Sequence, residues 1–322
     1  IGWAGFRRAM ISSRVKAETA IRRVAWYHSC QLQGFIYWEP NYLLLPFAGP
    51  AVATLHDLSH LRMPEHHPAA RVTEMNRQLP RTLARATRLI AVSAFTREEI
   101  IARLNPAQPI DIVPPAVDPS FFAVQAEARA QAKRRYHLPD AFILSVATLE
   151  PRKNLARLVK AFAALPEGLR ERYPLVLAGS RGWHTSELEN SLRPLVATGH
   201  IRVLGYVEQN HLPALYSSAT VLAYVSLYEG FGMPIAEAMA AGTPVLTAAT
   251  SAMPEVAAGH ALLVDPYDTQ AIQQQLQRLL SDSTLRHQLA QSARRHATTF
   301  DWSLSADRLL ESLRAAQQEY HR

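Results

Sequence analysis

The feature that most constrains the fold is the regular alternation, after residue 141, of short apolar runs with longer helical patterns. This alternation predicts βα units around a parallel sheet. The predicted strands are 142–147, 175–178, 201–204, 220–225 and 245–247. The predicted helices between them are 155–164, 186–197, 212–217 and 235–241. After the strand at 245–247, only helices are expected to the end of the chain.

The first part of the chain repeats the alternation less regularly. Strands are predicted at 51–54, 88–92 and 110–113, and helices at 68–86 and 94–104. Pro114 and Pro115, followed by Asp118 and Pro119, can neither continue a strand nor open a helix easily, so they predict a linker. A chain of 322 residues is long enough for two domains of ordinary size, which favours one lobe on each side of this linker.

Composition excludes several classes of protein. No apolar run approaches the roughly 20 residues of a membrane-spanning helix. A single cysteine, Cys30, cannot form an internal disulfide, which favours the cytoplasm.

The net charge of +7 is concentrated at the start of the chain, where residues 1–23 hold six basic side chains and one acid. The rest has no basic stripe, so nucleic acid is not expected as a partner, whereas the basic stretch fits either an anionic membrane surface or a solvated helix face.

The sharpest motif runs from Tyr228 to Pro244 and carries two acids, Glu229 and Glu237. Pro234 suits the first position of a helix and Gly242 its C-terminal cap. The free N–H groups at the start of this helix favour phosphate or sugar oxygens, and the preceding glycines let a ligand approach the backbone. The motif therefore predicts a site for a polyhydroxylated anionic ligand; the alternative is a capped helix with two solvated acids.

A second loop, 148–154, follows the strand at 142–147 and carries Arg152 and Lys153. Ligands of parallel sheets bind at the carboxyl ends of the strands. Adjacent cations at that edge are suited to a diphosphate leaving group, although such a pair is also common at a solvated helix start.

These motifs together carry a resemblance. The run from Glu229 to Glu237, with seven residues between the acids, and the Ala-Gly-Thr-Pro-Val that follows resemble the signature of glycosyltransferase family 4. Residues 148–154 resemble its diphosphate-binding loop and 113–118 its interdomain segment. The resemblance implies an α/β, GT-B fold, with two Rossmann-like lobes facing across a cleft. It divides the chain into an acceptor-side lobe at 1–118, a donor-binding lobe at 119–300 and a helix at 301–322 that crosses back.

The resemblance also implies roles for individual residues. Arg152 and Lys153 would neutralise the donor diphosphate, and Glu237 would hold the ribose. Glu229, with the amides of Phe231 and Gly232, would grip the donor sugar. The donor loop is completed by Gly230, Met233 and Pro234. No metal and no other cofactor is expected, since the donor lobe lacks an Asp-x-Asp motif and cations replace the charge of a metal.

His56 and Asp57 follow the strand at 51–54 and match the family position that faces the donor sugar, where Asp57 could orient the imidazole. An alternative is a metal site formed with His60, His66 and His67. It is disfavoured because His56 and His60 would need a helix to share a face, and a strand end is expected there.

The implied activity is transfer of a hexosyl group with retention of the anomeric configuration. Residues 35–42, 54–59 and 150–154 resemble bacterial mannosyltransferases of surface-polysaccharide assembly most closely, which makes GDP-mannose the expected donor and a saccharide or lipid-linked saccharide the expected acceptor. Residues 1–23 lack the strand and glycine-rich loop that usually open the family, so the first lobe is expected to be incomplete. An inactive GT-B scaffold is therefore an alternative; a hydrolase using Glu229 and Glu237 would leave Arg152 and Lys153 without a role.

Overall fold

A computed structural model describes residue 24 and residues 34–320 of the chain. The first lobe contains a parallel sheet in the order β1-β2-β3-β4. Its strands are β1 (Tyr37–Glu39), β2 (Ala51–Leu55), β3 (Arg88–Ala91) and β4 (Ile110–Ile112). Its helices are α1 (Ser59–Arg62), α2 (Ala69–Leu83) and α3 (Ala94–Leu104). Strand β2 is buried along its whole length, because its residues are apolar or small.

The second lobe contains a larger parallel sheet in the order β10-β9-β8-β5-β6-β7. Its strands are β5 (Ile143–Val146), β6 (Leu175–Ala178), β7 (Ile201–Gly205), β8 (Val221–Tyr224), β9 (Val245–Ala248) and β10 (Leu262–Val264). Its helices are α4 (Ala126–Arg135), α5 (Leu155–Ala163), α6 (Glu167–Arg172), α7 (Ser186–Ala197), α8 (Leu212–Ser218), α9 (Met233–Ala240), α10 (Met253–Ala257), α11 (Thr269–Ser281) and α12 (Ser283–Ala297). Apolar clusters pack on both faces of this sheet, which is why its strands read as continuous apolar runs.

The fold is the expected two-lobed α/β architecture of GT-B enzymes. The structure corrects the expectation that only helices follow residue 247, because β10 pairs with β9 at the sheet edge. It also adds β1, which the sequence did not predict. Both are three-residue strands at a sheet edge, and the sequence singled out no strand at either position. The basic stretch at 1–23 lies outside the described residues.

The last helix, α13 (Trp302–Tyr320), packs on the first lobe although it follows the second in sequence. Its Ala316 is fully buried against Val52 and Ile90 of the first sheet. The guanidinium of Arg88 on β3 is paired with Asp111 on β4 and with Glu319 of this helix. The helix therefore ties the two lobes together. Within the described part of the chain, none of the helices is both long and apolar enough to span a membrane.

Candidate active site

The order of strands in the second sheet explains where a site can form. Strand β5 has β6 on one side and β8 on the other. Strands β5 to β7 follow one another towards one edge of the sheet and β8 to β10 towards the other, so the strand order reverses between β5 and β8. The loops that leave the carboxyl ends of two such strands diverge, and ligands bind in the crevice between them. These two loops are 147–154 and 225–232, the segments that carry the predicted cations and Glu229.

Four charged side chains from these loops form one buried ion cluster. Lys153 Nζ donates to Glu229 Oε1 at 2.7 Å, and Arg152 Nη1 donates to Glu229 Oε2 at 2.9 Å. Arg152 Nη2 donates to Glu150 Oε1 at 2.8 Å. The Tyr224 hydroxyl donates to Glu229 Oε1 at 2.7 Å and accepts from Lys153 Nζ at 3.1 Å. Two cations and two carboxylates thus balance in charge, and Tyr224 joins the two loops.

The charges in the cluster stabilise one another's ionised forms. Burial alone raises the pKa of Glu229, but the neighbouring Lys153 and Arg152 outweigh it and lower that pKa to about 2. Burial likewise lowers the pKa of Lys153, and the Glu229 carboxylate outweighs this effect, so the pKa of Lys153 is raised overall. Both groups are therefore charged at neutral pH.

The two acids of the glycine-rich motif have different surroundings. Glu229 is only 7% exposed, which excludes the alternative of two solvated acids. Glu237 lies in the second turn of α9, where burial raises its pKa more than the adjacent Tyr216 lowers it. The sequence predicted a ligand role for each acid, and the structure places only Glu229 among the cations.

The turn before α9 depends on two glycines. Gly232 has φ +108°, a conformation that favours glycine, and α9 starts at the next residue, with Pro234 in its first turn. An added Cβ at Gly230 would lie 1.7 Å from the carbonyl oxygen of His56. Gly230 therefore permits the two lobes to touch at the candidate site.

The first lobe also holds this turn through hydrogen bonds. Ser93 Oγ and Thr96 Oγ1, at the start of α3, donate to the carbonyl oxygen of Gly230 at 2.6 and 2.9 Å. The backbone N–H groups of Ala94 and Phe95 donate to the carboxylate of Glu255 in the second lobe at 2.9 and 3.0 Å. The start of α3 is thus fixed to the second lobe by both its side chains and its backbone.

His56 lies exposed at the end of β2, as predicted. Its Nε2 is 2.8 Å from the carbonyl oxygen of Pro40, which can only accept, so Nε2 carries a proton in this contact and leaves Nδ1 for a further hydrogen bond. The carboxylate of Asp57 accepts from the N–H and hydroxyl of Ser59 instead of contacting the imidazole. The orienting role that the sequence suggested for Asp57 is therefore taken by Pro40.

A cavity of about 610 Å³ separates the two lobes at this point. It is lined by most of the predicted site residues, namely His56, Asp57, Lys153, Glu229, Gly230, Phe231, Gly232, Met233 and Pro234. Arg152 and Glu237 do not line the cavity. Arg152 contacts Glu229, which does. The sequence did not single out Tyr224 or Tyr206, which also line the cavity; their positions at the carboxyl ends of β8 and β7 were the available signal.

The histidines near residue 60 do not assemble into a metal site. Within residues 34–320, no three His, Cys, Asp or Glu side chains are grouped closely enough to bind a metal ion together. His56 is hydrogen-bonded to the carbonyl oxygen of Pro40, and the ring centroids of His67 and Trp183 are 6.2 Å apart. The structure therefore gives the metal interpretation of this cluster no ligand set.

Two family models match the chain. The model described as glycosyl transferases group 1 matches residues 128–296, which include both loops of the ion cluster. The model described as glycosyltransferase family 4 matches residues 3–121. The two matches cover most of both lobes.

Individual relatives agree with these models. The O-antigen chain mannosyltransferase B of Escherichia coli is 36% identical over 283 residues, 87% of this chain and 74% of the relative. The serotype-specific mannosyltransferase WbdA of the same organism is 32% identical over 270 residues, 81% of this chain but only 33% of the relative. The crystal structure of Anabaena HepE in complex with UDP-glucose superposes with a TM-score of 0.71 at 21% identity, covering 83% of this chain and 72% of that one.

Proposed function

The chain belongs to glycosyltransferase family 4, a family of GT-B enzymes, and on that premise we propose that it transfers mannose from GDP-mannose to a saccharide acceptor with retention of configuration. The observation that carries the proposal is the ion cluster of Arg152, Lys153 and Glu229 at the point where the strand order reverses. The choice of mannose is supported by the similarity to an O-antigen chain mannosyltransferase.

The donor would bind between the two loops. Its diphosphate carries more negative charge than the single carboxylate of Glu229, so it would share Arg152 and Lys153 with that residue. The turn before α9, whose Gly232 and Met233 line the cavity, would add backbone N–H groups. Glu237 would bind the ribose, and Glu229 with the amides of Phe231 and Gly232 would hold the sugar. The cations would stabilise the departing nucleoside diphosphate, so no metal is required.

The contacts of Glu229 favour front-side displacement over a covalent intermediate on this residue. Both carboxylate oxygens accept hydrogen bonds, from Lys153 and Arg152, and its pKa is low, so it is a poor nucleophile. The same contacts argue against a hydrolase with Glu229 as nucleophile. His56 would face the donor sugar with Nδ1 as an acceptor for a sugar hydroxyl.

The acceptor is proposed as a saccharide or lipid-linked saccharide at the inner face of the cytoplasmic membrane, with the basic stretch at 1–23 contacting anionic lipid. The competing function is a scaffold that binds nucleotide without transfer.

The test is a thermal-shift screen against GDP, UDP, ADP, GDP-mannose and UDP-glucose without added metal, followed by a transfer assay with mannose oligosaccharides. A ligand at about 100 times its Kd stabilises the fold by about 2.7 kcal/mol. We expect GDP and GDP-mannose to stabilise selectively and mannose to be transferred. Binding without transfer would indicate the scaffold, and selective stabilisation by another nucleotide would contradict the donor assignment.

A double variant, Arg152→Ala with Lys153→Ala, tests the residues in the same assay. It is expected to abolish transfer, since leaving-group stabilisation is lost. The matched control is Arg134→Ala with Lys133→Ala on α4, whose side chains pair with Glu127 and Asp140 at the surface. Undiminished transfer by the first variant would contradict the roles of Arg152 and Lys153.

A further inference from the structure

A second pocket of about 440 Å³ lies on the other side of the diphosphate loop from the cavity described above. Thr148 and Lys153 line that first cavity, whereas Leu149, Glu150 and Asn154 line the second pocket. The loop 148–154 is thus the wall between the two spaces. A ligand in the second pocket would lie next to the site of transfer without competing for it.

The second pocket is formed where the two lobes meet. His66 of the first lobe is one of its lining residues, and the carbonyl oxygen of His66 accepts a hydrogen bond from Trp183 Nε1 of the second lobe at 2.6 Å. The Nδ1 atom of His66 is buried and has no hydrogen-bond partner among the described residues.

An exposed aromatic residue, Tyr267, lines the second pocket. The residue is 56% exposed, and the guanidinium of Arg157 lies 5.5 Å from the centroid of its ring. Its backbone N–H donates to Asp265 at 2.8 Å. The preceding carbonyl, of Pro266, accepts from the side chain of Asn154 at 2.8 Å. Asn154 ends the loop 148–154, so this hydrogen bond fixes the backbone next to Tyr267, while the Tyr267 side chain itself makes no hydrogen bond to that loop.

The charges of the second pocket indicate the chemistry of its ligand. With the histidines counted as neutral, two cations and two carboxylates line it, Arg157, Lys160, Glu150 and Glu187. Lys160 is paired with Glu187 at 2.9 Å, and Glu150 is bonded to Arg152. Arg157 donates to Asn154 Oδ1 at 2.6 Å and to the carbonyl oxygen of Pro266 at 3.2 Å, so every charged side chain of the pocket already has a protein partner. An aromatic ring surrounded by hydrogen-bonding groups suits an uncharged sugar, whose C–H face packs on the ring while its hydroxyls bind the polar rim.

We propose that the second pocket binds uncharged hexose units of the acceptor chain that are remote from the reacting hydroxyl, with Tyr267 as their stacking platform. This proposal rests on the proposed transferase function. It predicts that long saccharides are better acceptors than short ones, because an acceptor must extend past the loop 148–154 to occupy both the first cavity and the second pocket.

The test compares a mannose pentasaccharide with a mannose disaccharide as acceptors for wild type, Tyr267→Ala and Tyr267→Phe. We expect kcat/KM of wild type to favour the pentasaccharide by about tenfold, a difference of about 1.4 kcal/mol. Tyr267→Ala should remove this preference and leave both the disaccharide kinetics and the KM of the nucleotide sugar unchanged. Tyr267→Phe keeps the ring and should keep the preference.

A preference that survives Tyr267→Ala, or is absent from wild type, would overturn the proposal while leaving the transferase function intact. If wild type transfers no sugar from any nucleotide donor, the proposed function fails instead. Titration of the pentasaccharide followed by nuclear magnetic resonance then decides the question of the pocket alone. Binding to wild type that Tyr267→Ala weakens about tenfold supports the pocket, and equal or absent binding in both proteins rejects it.

Discussion

Tyr224 adds a further link between the two loops of the candidate site, since its hydroxyl contacts both Glu229 and Lys153. Tyr224→Phe deletes this hydroxyl with little change in packing. We expect the KM of the donor to rise several-fold and stability to fall by about 1 kcal/mol, the usual net worth of a hydrogen bond. Donor kinetics and thermal melting would check this. The matched control is Tyr173→Phe, because Tyr173 is a buried tyrosine of the second lobe's core. Equal effects of the two variants would contradict a role of Tyr224 in positioning Glu229.

Glu229 makes the stability of the folded protein depend on pH in the acid range. Its pKa in the folded protein, about 2, lies below the ordinary value of 4.5. A carboxyl with a depressed pKa contributes stability that is complete above the ordinary pKa and is lost as the pH falls towards the folded pKa. The free energy of unfolding should therefore fall between pH 4.5 and about pH 2.

Glu229→Gln should be less stable than wild type at neutral pH, because Arg152 and Lys153 lose their shared partner, yet its stability should depend less steeply on pH in that window. Melting temperatures measured against pH would show both effects. Glu311→Gln, at an exposed position of α13, serves as the control. An unchanged slope in Glu229→Gln would mean that other carboxyls cause the acid sensitivity.

The sequence predicted Arg152, Lys153 and Glu229 as site residues because each follows a recognisable strand and carries a charge suited to the ligand. It could not predict that they bind one another. That contact depends on β5 and β8 being neighbours in the sheet, which arises from long-range strand pairing. Tyr224 was not predicted as a site residue for a related reason, since a tyrosine at the end of an apolar strand is typical of the core.

At the scale of elements, the turn before α9 fits the first lobe only because residue 230 is glycine. In Gly230→Ala the new methyl group would overlap the carbonyl oxygen of His56, so the lobes would have to separate. A displacement of about 1 Å at a reacting centre can lower the rate about 100-fold, and we expect a loss of at least that order in kcat/KM.

The control for this change is Gly168→Ala in α6, where an added Cβ meets no atom within 4 Å. Its transfer rate should equal that of wild type, and its melting temperature should not fall, because alanine favours a helix. Wild-type activity in Gly230→Ala would show that the contact between Gly230 and His56 is not needed for transfer.

Most elements could be predicted to within a few residues because helical and strand periodicities differ strongly over long segments. Helices α3 and α7 coincide with the predicted ranges, 94–104 and 186–197. The three-residue strands β1 and β10, which pair with β2 and β9, were not predicted, whereas the equally short β4 was predicted from the apolar run that ends before Pro114 and Pro115. The position of α13 on the first lobe followed only from the family resemblance.

At the scale of the whole molecule, α13 is the element that fastens the second lobe back onto the first. Ala316→Asp would place a carboxylate without a partner against Val52 and Ile90. We expect the helix to detach and stability to fall by about 3 kcal/mol, as is typical of a buried uncompensated charge. Circular dichroism melting and limited proteolysis near residue 300 would report it. Gln318→Asp, at an exposed position of the same helix, should leave both measurements unchanged.

The hydrogen bonds from Ser93 and Thr96 to the carbonyl of Gly230 have a consequence for the way substrates influence each other. They fasten the turn before α9, where we propose that the nucleotide sugar binds, to the first lobe, which we propose faces the acceptor, so a ligand that orders one partner of this contact is expected to order the other. Donor and acceptor should then bind cooperatively. Thermodynamic reciprocity requires that the factor by which the donor tightens the acceptor equals the factor by which the acceptor, on its own, tightens the donor.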